Sequence, residues 1–214
     1  MNKNYLLLIT LVFYNFGYSQ IFEEVTDLGL QGVFYGDCAS FDFNNDNKKD
    51  FILSGAVTGY ATGNTTVYSN TQEGFTLLEE TFSQIMYSAI TTGDIDGNGF
   101  EDIVITGVKN QAGSEQAQVF EIYYNNGDGT FTQDAETGIL PTSYGSVEIS
   151  DFNNDGIKDL LVNGINGNSY ISKIYYQDEN HSFTDSGIAL MGTYFSDTKV
   201  FDANGDGFPD ILIT

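Results

Sequence analysis

The sequence predicts an all-β fold, a β-propeller of four-stranded antiparallel blades that is incomplete in this chain. Three observations carry that expectation. A nine-residue acidic motif recurs four times, its first Asp at 42, 94, 151 and 202, spacings of 52, 57 and 51 residues. Each copy runs directly into an apolar, strand-like segment, and no stretch shows a helical period. Repeats of this length built from several short strands are the pattern of propeller blades.

The motif reads DFNNDNKKD at Asp42, DIDGNGFED at Asp94, DFNNDGIKD at Asp151 and DANGDGFPD at Asp202. Positions 1, 3, 5 and 9 carry Asp or Asn, and position 6 is Gly or Asn. The oxygen donors are Asp42, Asn44, Asp46 and Asp50; Asp94, Asp96, Asn98 and Asp102; Asp151, Asn153, Asp155 and Asp159; and Asp202, Asn204, Asp206 and Asp210. Calcium takes six to eight oxygen ligands at about 2.3–2.6 Å, and alternate side chains of a tight loop converge on such a point. Oxygen-only donors favour it over zinc or copper. Without a cation, three carboxylates this close repel one another. A residue with φ > 0 at position 6 turns the chain around the ion, and Asn47 is the best substitute for Gly there. The position 7 carbonyls of Lys48, Phe100, Ile157 and Phe208 are expected to add a further oxygen. The motif therefore predicts Ca²⁺ as cofactor, at up to four sites.

Two other loops share features of the motif. An EF-hand also begins D-x-N-x-D-G, but it needs a bidentate Glu at position 12 and flanking helices. Position 12 here is Leu53, Ile105, Val162 and Ile213, all apolar and inside strand-like runs. Polar Asx turns would explain one copy; four copies in one phase favour the metal.

In chain order, Met1 to Ser19 combines a lysine, an apolar stretch from Tyr5 to Phe16, and small residues before Gln20, the pattern of a secretory signal peptide. The mature protein, from residue 20 on, is expected outside the cell or at its surface, without insertion into a membrane. The formal charge of −23, with 30 acids against 7 basic residues, would repel a phosphate backbone, so nucleic acid is a poor partner. The 14% aromatics and 24 glycines fit a β-rich globular chain. Cys38 is the single cysteine, so an internal disulfide is excluded. It sits in a strand-like run, where a buried thiol is expected.

The repeat units are expected at about 31–83, 84–140, 141–191 and, partial, 192–214. Other features keep phase with the motif. An aromatic stands seven residues before each first Asp, at Tyr35, Tyr87, Tyr144 and Phe195. Gly55, Gly107 and Gly164 stand thirteen after it. Between motifs come segments ending in Tyr (TTVYSN, FEIYYNN, SKIYYQD), a turn, and then Phe-Thr at 75, 131 and 183. NNGDGT at 125–130 is a strong hairpin turn. Each unit thus reads strand, acidic loop, strand, turn, strand, hairpin, strand.

The loop followed by an apolar strand and glycine, as in DFNNDGIKDLLVNG at 151–164, resembles the FG-GAP or VCBS repeat, a family that includes the integrin α-subunit head and many secreted bacterial proteins. The resemblance runs from about Val33 to Thr214. It implies a propeller with calcium in the hairpin loop between the first two strands of each blade. Copy one lacks Gly at position 6 and copy two has Asn98 at position 5, so these two sites are expected to be the weakest. Residues 21–30 resemble the last strand of a unit and are a candidate ring-closing strand. The fourth unit stops after its second strand, which predicts further blades beyond 214.

Catalytic groups are scarce. His181 is the single histidine and falls beside a hairpin; arginine, a nucleophile elbow and a phosphate-binding glycine loop are absent from the sequence. The leading expectation is a non-catalytic module for adhesion or recognition of an extracellular protein or carbohydrate ligand. Its binding face would be the loops opposite the acidic hairpins, at 55–64, 107–117 and 164–169, with Tyr60 and Asn64 placed to stack on and hydrogen-bond a sugar or peptide. A calcium-dependent, lyase-like enzyme acting on polysaccharide is the alternative. It would need a base near the metal, and the nearest candidates, Lys48 and Lys158, are expected to point outward. A scaffold for a catalytic or sorting domain elsewhere in the protein is the third reading.

Overall fold

The computed structural model describes residues 28–58, 62–78, 80, 82–109 and 117–214. The signal-peptide segment and Tyr60 lie outside the described residues. So does most of the candidate ring-closing strand; its last three residues, 28–30, are not in a strand.

Three four-stranded antiparallel sheets and a two-stranded one follow one another along the chain, with no helix among the described residues. The first comprises β1 (Phe34–Phe41), β2 (Asp50–Thr58), β3 (Thr62–Thr71) and β4 (Gly74–Leu77). The second comprises β5 (Ile85–Gly93), β6 (Asp102–Lys109), β7 (Ala117–Asn125) and β8 (Phe131–Asp134). The third comprises β9 (Val147–Ser150), β10 (Asp159–Asn166), β11 (Ser169–Gln177) and β12 (Phe183–Asp185). The last pairs β13 (Thr198–Phe201) with β14 (Asp210–Ile213). Within each sheet the strands pair in sequence order, as in propeller blades, and the acidic loops join first strand to second. Among the described residues the sheets do not close into a ring.

The cores lie between blades. Phe41, Phe43, Ile52 and Val67 of the first blade pack on Phe82, Ile85, Ile103 and Ile105 of the second. Val104, Phe120 and Ile122 on the other face of the second blade pack on Val147, Leu160 and Val162 of the third. The alternation Ile103, Val104, Ile105 therefore sends neighbouring side chains to opposite cores, as the two-residue period of a strand requires. Because both faces are covered, β6 (DIVITGVK) reads as a continuous apolar run, buried in all but its last residue. Each fully buried Ile or Leu contributes about 1.5–3 kcal/mol.

The phased aromatics and glycines are one device. The β1–β2 register shifts between Phe34 and Asp37, and the β5–β6 register between Met86 and Ala89. Two residues of the first strand (Tyr35 and Gly36; Tyr87 and Ser88) thus oppose one glycine of the second (Gly55; Gly107), a β-bulge. A Cβ on Gly107 would sit 3.0 Å from the Met86 carbonyl oxygen and 3.1 Å from the Ser88 Cα, so any other residue would push the two backbones apart by a few tenths of an ångström. Tyr35 and Tyr87 in these bulges, and Tyr144 and Phe195 at the same phase of the repeat, have φ of 51°, 52°, 56° and 49°, left-handed values that L-residues avoid.

The tyrosines at the end of the third strands tie down the blade-to-blade links. Tyr68, Tyr123 and Tyr175 accept the backbone N–H of Gln31 (3.0 Å), Ser83 (2.9 Å) and Leu140 (3.2 Å) through their hydroxyls.

The expectation of a buried Cys38 is corrected. Along β1, Asp37, Ala39 and Phe41 turn inward, so Cys38 points the other way and is exposed.

Candidate metal centres

Each acidic loop is held open by hydrogen bonds from its own backbone to its own side chains. In loop three, Asp151 accepts the N–H of Asp155 (3.0 Å) and Gly156 (2.8 Å). Asn153 accepts Asp155 N–H at 3.0 Å, and Asp155 accepts Ile157 N–H at 2.8 Å. Loops one and four repeat the pattern around Asp42 and Asp202. Position 6 adopts positive φ in every loop: 65° at Asn47, 90° at Gly99, 91° at Gly156 and 87° at Gly207. So does position 4, a second left-handed residue not anticipated from sequence: 56° at Asn45, 77° at Gly97, 62° at Asn154 and 79° at Gly205.

Position 9 has a different environment. Asp50, Asp102 and Asp159 are fully buried, and both oxygens of each are held by backbone N–H groups. One donor is position 2 of the same loop: Phe43 at 3.2 Å, Ile95 at 2.8 Å, Phe152 at 2.8 Å. The other is the end of the third strand: Asn70 at 2.7 Å, Asn125 at 2.8 Å, Gln177 at 2.9 Å. Asp210, in the two-stranded sheet, keeps the first bond, from Ala203 at 2.8 Å. Burial pushes the Asp102 carboxyl up to about 6, against the pull of the Asn125 and Ile95 N–H groups. Burial raises Asp50 and Asp159 as well. By contrast, exposed Asp202 is lowered by the N–H groups of Gly207 and Gly205.

Loop two differs from the rest. Asp94, Asp96 and Asp102 each present a carboxylate oxygen within 4.8 Å of the others, the one such acidic group of three among the described residues. Asp94 accepts the Gly99 N–H through Oδ2 at 3.0 Å, while its Oδ1 is buried without a partner. Asn98 turns its amide nitrogen to Asp96 (3.1 Å) and the Asn125 carbonyl (2.8 Å), and its oxygen accepts Phe100 N–H at 2.8 Å. Oxygens on opposite sides of a calcium ion lie about 4.6–5.2 Å apart, twice the ligand distance. The spacing and the orphaned Oδ1 both fit a hard cation. Copy two, expected to be among the weakest from its Asn98, is thus the copy whose carboxylates converge.

In loop one, Lys48 does not point outward as expected. Its ammonium folds back onto Asp46 at 3.2 Å and the Asn70 carbonyl at 3.4 Å, because three acids surround its short loop. Lys158 and His181 line a hollow of about 400 Å³ with Asp94, Asp96 and Asp178. His181 is exposed in its hairpin turn.

Sequence reasoning missed Asn70, Asn125 and Gln177. A signal was present: each stands two residues after the phased tyrosine, in TTVYSN, FEIYYN and SKIYYQ. It also missed Glu101, whose carboxylate accepts the Asp42 N–H at 2.6 Å and pairs with Lys49 at 3.3 Å, joining loops one and two.

On the opposite face, the phased aromatics touch from blade to blade: Tyr35 tilted against Tyr87 at 5.3 Å, Tyr87 stacked on Tyr144 at 4.3 Å, Tyr144 edge-on to Phe195 at 4.8 Å. Tyr194 continues the line to Tyr170 at 4.6 Å. Of the residues expected to bind on that face, Asn64 is in β3, with its amide on Thr66 at 2.9 Å.

The model of the FG-GAP-like repeat matches residues 22–105, 110–162 and 151–213. No curated protein matches the chain. FG-GAP repeats form propeller-like modules often used in ligand recognition, and the family is generally non-catalytic. With its acidic hairpin loops, its blade-like sheets and three family matches along most of its length, the chain belongs to the FG-GAP-like repeat family.

Proposed function

We propose that the protein is a secreted, calcium-binding propeller module that recognises an extracellular protein or carbohydrate and performs no chemistry on it. The observation that carries this reading is the convergence of Asp94, Asp96 and Asp102 around the buried, unpartnered Oδ1 of Asp94. Those three acids would hold the ion in loop two, with the Phe100 carbonyl beside them. Asp42, Asn44, Asp46 and Asp50 would do so in loop one, where Lys48 competes for Asp46. Asp151, Asn153, Asp155 and Asp159 would hold it in loop three, and Asp202, Asn204, Asp206 and Asp210 in loop four. The bound cation supplies charge neutralisation; the loop backbone supplies the shape, already fixed by its Asx hydrogen bonds.

Recognition is assigned to the face opposite the loops. Its support is the line of rings from Tyr35 to Tyr170, aromatic surface of the kind that binds sugars and peptides by stacking. The net charge of −23 disfavours nucleic acid. No helix of the described residues is long and apolar enough to cross a membrane.

The test is a melt of the full-length protein with calcium and with excess chelator, alongside Asp96→Ala. The reading predicts a higher melting temperature in calcium and a smaller rise in the variant. Equal melts in both conditions would contradict it.

A further inference from the structure

The amides at the ends of the third strands do more than close a sheet. Asn125 is fully buried in β7 and makes three kinds of bond at once. Its backbone N–H holds Asp102 Oδ1 of its own loop at 2.8 Å. Its side-chain nitrogen donates to the Glu101 carbonyl of that loop at 3.2 Å and, across the blade boundary, to the Phe43 carbonyl of loop one at 2.7 Å. Phe43 in turn gives its N–H to Asp50 Oδ2 at 3.2 Å. One unbroken chain of hydrogen bonds therefore runs from the position 9 carboxylate of loop two to that of loop one: Asp102, Asn125, Phe43, Asp50.

The next boundary repeats it with a different residue. Gln177, nearly fully buried in β11, holds Asp159 Oδ1 through its backbone N–H at 2.9 Å. With its amide nitrogen turned to the carbonyls, it donates to Lys158 at 2.6 Å in its own loop and to Ile95 at 3.0 Å in loop two, while its oxygen faces His181 Nδ1 at 3.3 Å. Ile95 gives its N–H to Asp102 Oδ2 at 2.8 Å. A surface loop needs no buried side chain from its neighbour to fold as an Asx turn. The shared element between boundaries is the amide itself, at one phase of the repeat, touching position 2 of one loop and positions 8 and 9 of the next.

We propose that Asn125 and Gln177 are positioning residues that couple adjacent cation loops, so that calcium in one blade favours calcium in the next. This inference rests on the calcium reading. The physical link is that a loop binds the ion only with its position 9 carboxylate in place. Ordering that carboxylate fixes the amide residue, which fixes the position 2 peptide of the preceding loop and, through it, that loop's own position 9 carboxylate. Buried hydrogen-bond chains of this kind transmit order because breaking any one bond leaves a buried donor or acceptor unsatisfied. A direct bridge also joins loops one and two through Glu101. Lys158 stands at the equivalent place in loop three, so the second boundary relies on the amide.

The test is calorimetric calcium titration of full-length protein with loops three and four silenced by Asp155→Ala and Asp206→Ala, both at exposed positions. Silencing loop two by Asp96→Ala is expected to weaken binding at loop one about fivefold or more while Asn125 is present, within the usual range of site-to-site coupling. In an Asn125→Ala background that also carries Glu101→Ala, to remove the direct bridge, the same silencing is expected to change loop one less than about twofold. Asn125→Gln is expected to keep the coupling, since glutamine does this work one blade on. A loop one affinity indifferent to loop two with Asn125 intact overturns the proposal, and that arm needs no change at Asn125, so a misfolding Asn125 variant does not shield it. Coupling that survives both Asn125→Ala and, for loops two and three in a protein with loops one and four silenced instead by Asp46→Ala and Asp206→Ala, Gln177→Ala overturns it as well. Two independent sites would sink the coupling and spare the calcium reading, whereas no calcium uptake at either loop would sink both.

Discussion

Tyr87 and Tyr144 are joined twice. Their rings stack at 4.3 Å with planes 26° apart, and the Tyr144 N–H donates to the Tyr87 carbonyl at 3.1 Å. Both residues hold a left-handed backbone at this junction, at φ of 52° and 56°. A left-handed non-glycine residue costs about 1–2 kcal/mol, offset by the stack at about 0.5–1.5 kcal/mol and by the backbone bond. Tyr144→Gly relieves the strain that Tyr144→Ala retains. The glycine variant is therefore expected to be the more stable of the two, by about 1 kcal/mol in urea unfolding. At ordinary strand positions the order is reversed, so an alanine variant at least as stable would contradict the role given to this backbone.

In the third blade the backbone approaches position 145 too closely for a side chain. A methyl on Gly145 would run into the Asn163 carbonyl, a backbone atom that cannot swing away. Gly145→Ala is expected to lower stability by more than about 2 kcal/mol, while a methyl on Gly187, which meets nothing within 4 Å, would be limited to its conformational cost of about 1 kcal/mol. Parallel thermal melts of the two variants check the difference.

Alkaline pH probes the buried phenols. Burial pushes Tyr123, Tyr124 and Tyr144 up to about 12. In the unfolded chain tyrosine ionises near pH 10. A folded pKa above the unfolded one means that the stabilisation is whole below about pH 10 and is lost as pH climbs toward about 12. Stability should therefore fall across that window, with the phenolate absorbance of these rings appearing at its upper end. Titration of every tyrosine near pH 10 with the protein still folded would contradict the burial.

Positions 5 and 9 of the loops should separate cleanly. Asp155 is exposed and bonded within its loop, so Asp155→Ala is expected to leave the chelated protein's melting temperature nearly unchanged and to remove one calcium site. Asp159 is buried, and Asp159→Ala strands the N–H groups of Phe152 and Gln177. It should destabilise even the chelated protein, by about 1–3 kcal/mol for each unsatisfied buried group. Denaturant unfolding in chelator, compared with calcium titration, distinguishes the two.

The blades were legible because their signals are local. Position 12 of the motif is apolar and in phase with the strand that follows, and NNGDGT can only turn. The phased tyrosines, glycines and aromatics were visible too, but their reasons were not. Gly107 is explained by the Met86 carbonyl and Tyr123 by the Ser83 N–H, partners that strand pairing and blade packing bring together. The convergence in loop two was not legible for a similar reason. Counting Asp against Asn at position 5 says nothing of the buried, unpartnered Oδ1 of Asp94 or of the spacing among Asp94, Asp96 and Asp102. Cys38 was misplaced because a strand-like run does not say which of its faces is covered.

The most direct test of the central claim is calorimetric titration of calcium into the chelator-stripped full-length protein, with the melting temperature followed in parallel. The account predicts saturable binding at up to four loops and a rising melting temperature, each site adding about 2.7 kcal/mol when calcium stands a hundredfold above its Kd. No binding heat and an unchanged melt at about millimolar calcium, where even weak extracellular sites fill, would reduce the loops to Asx turns and contradict the account.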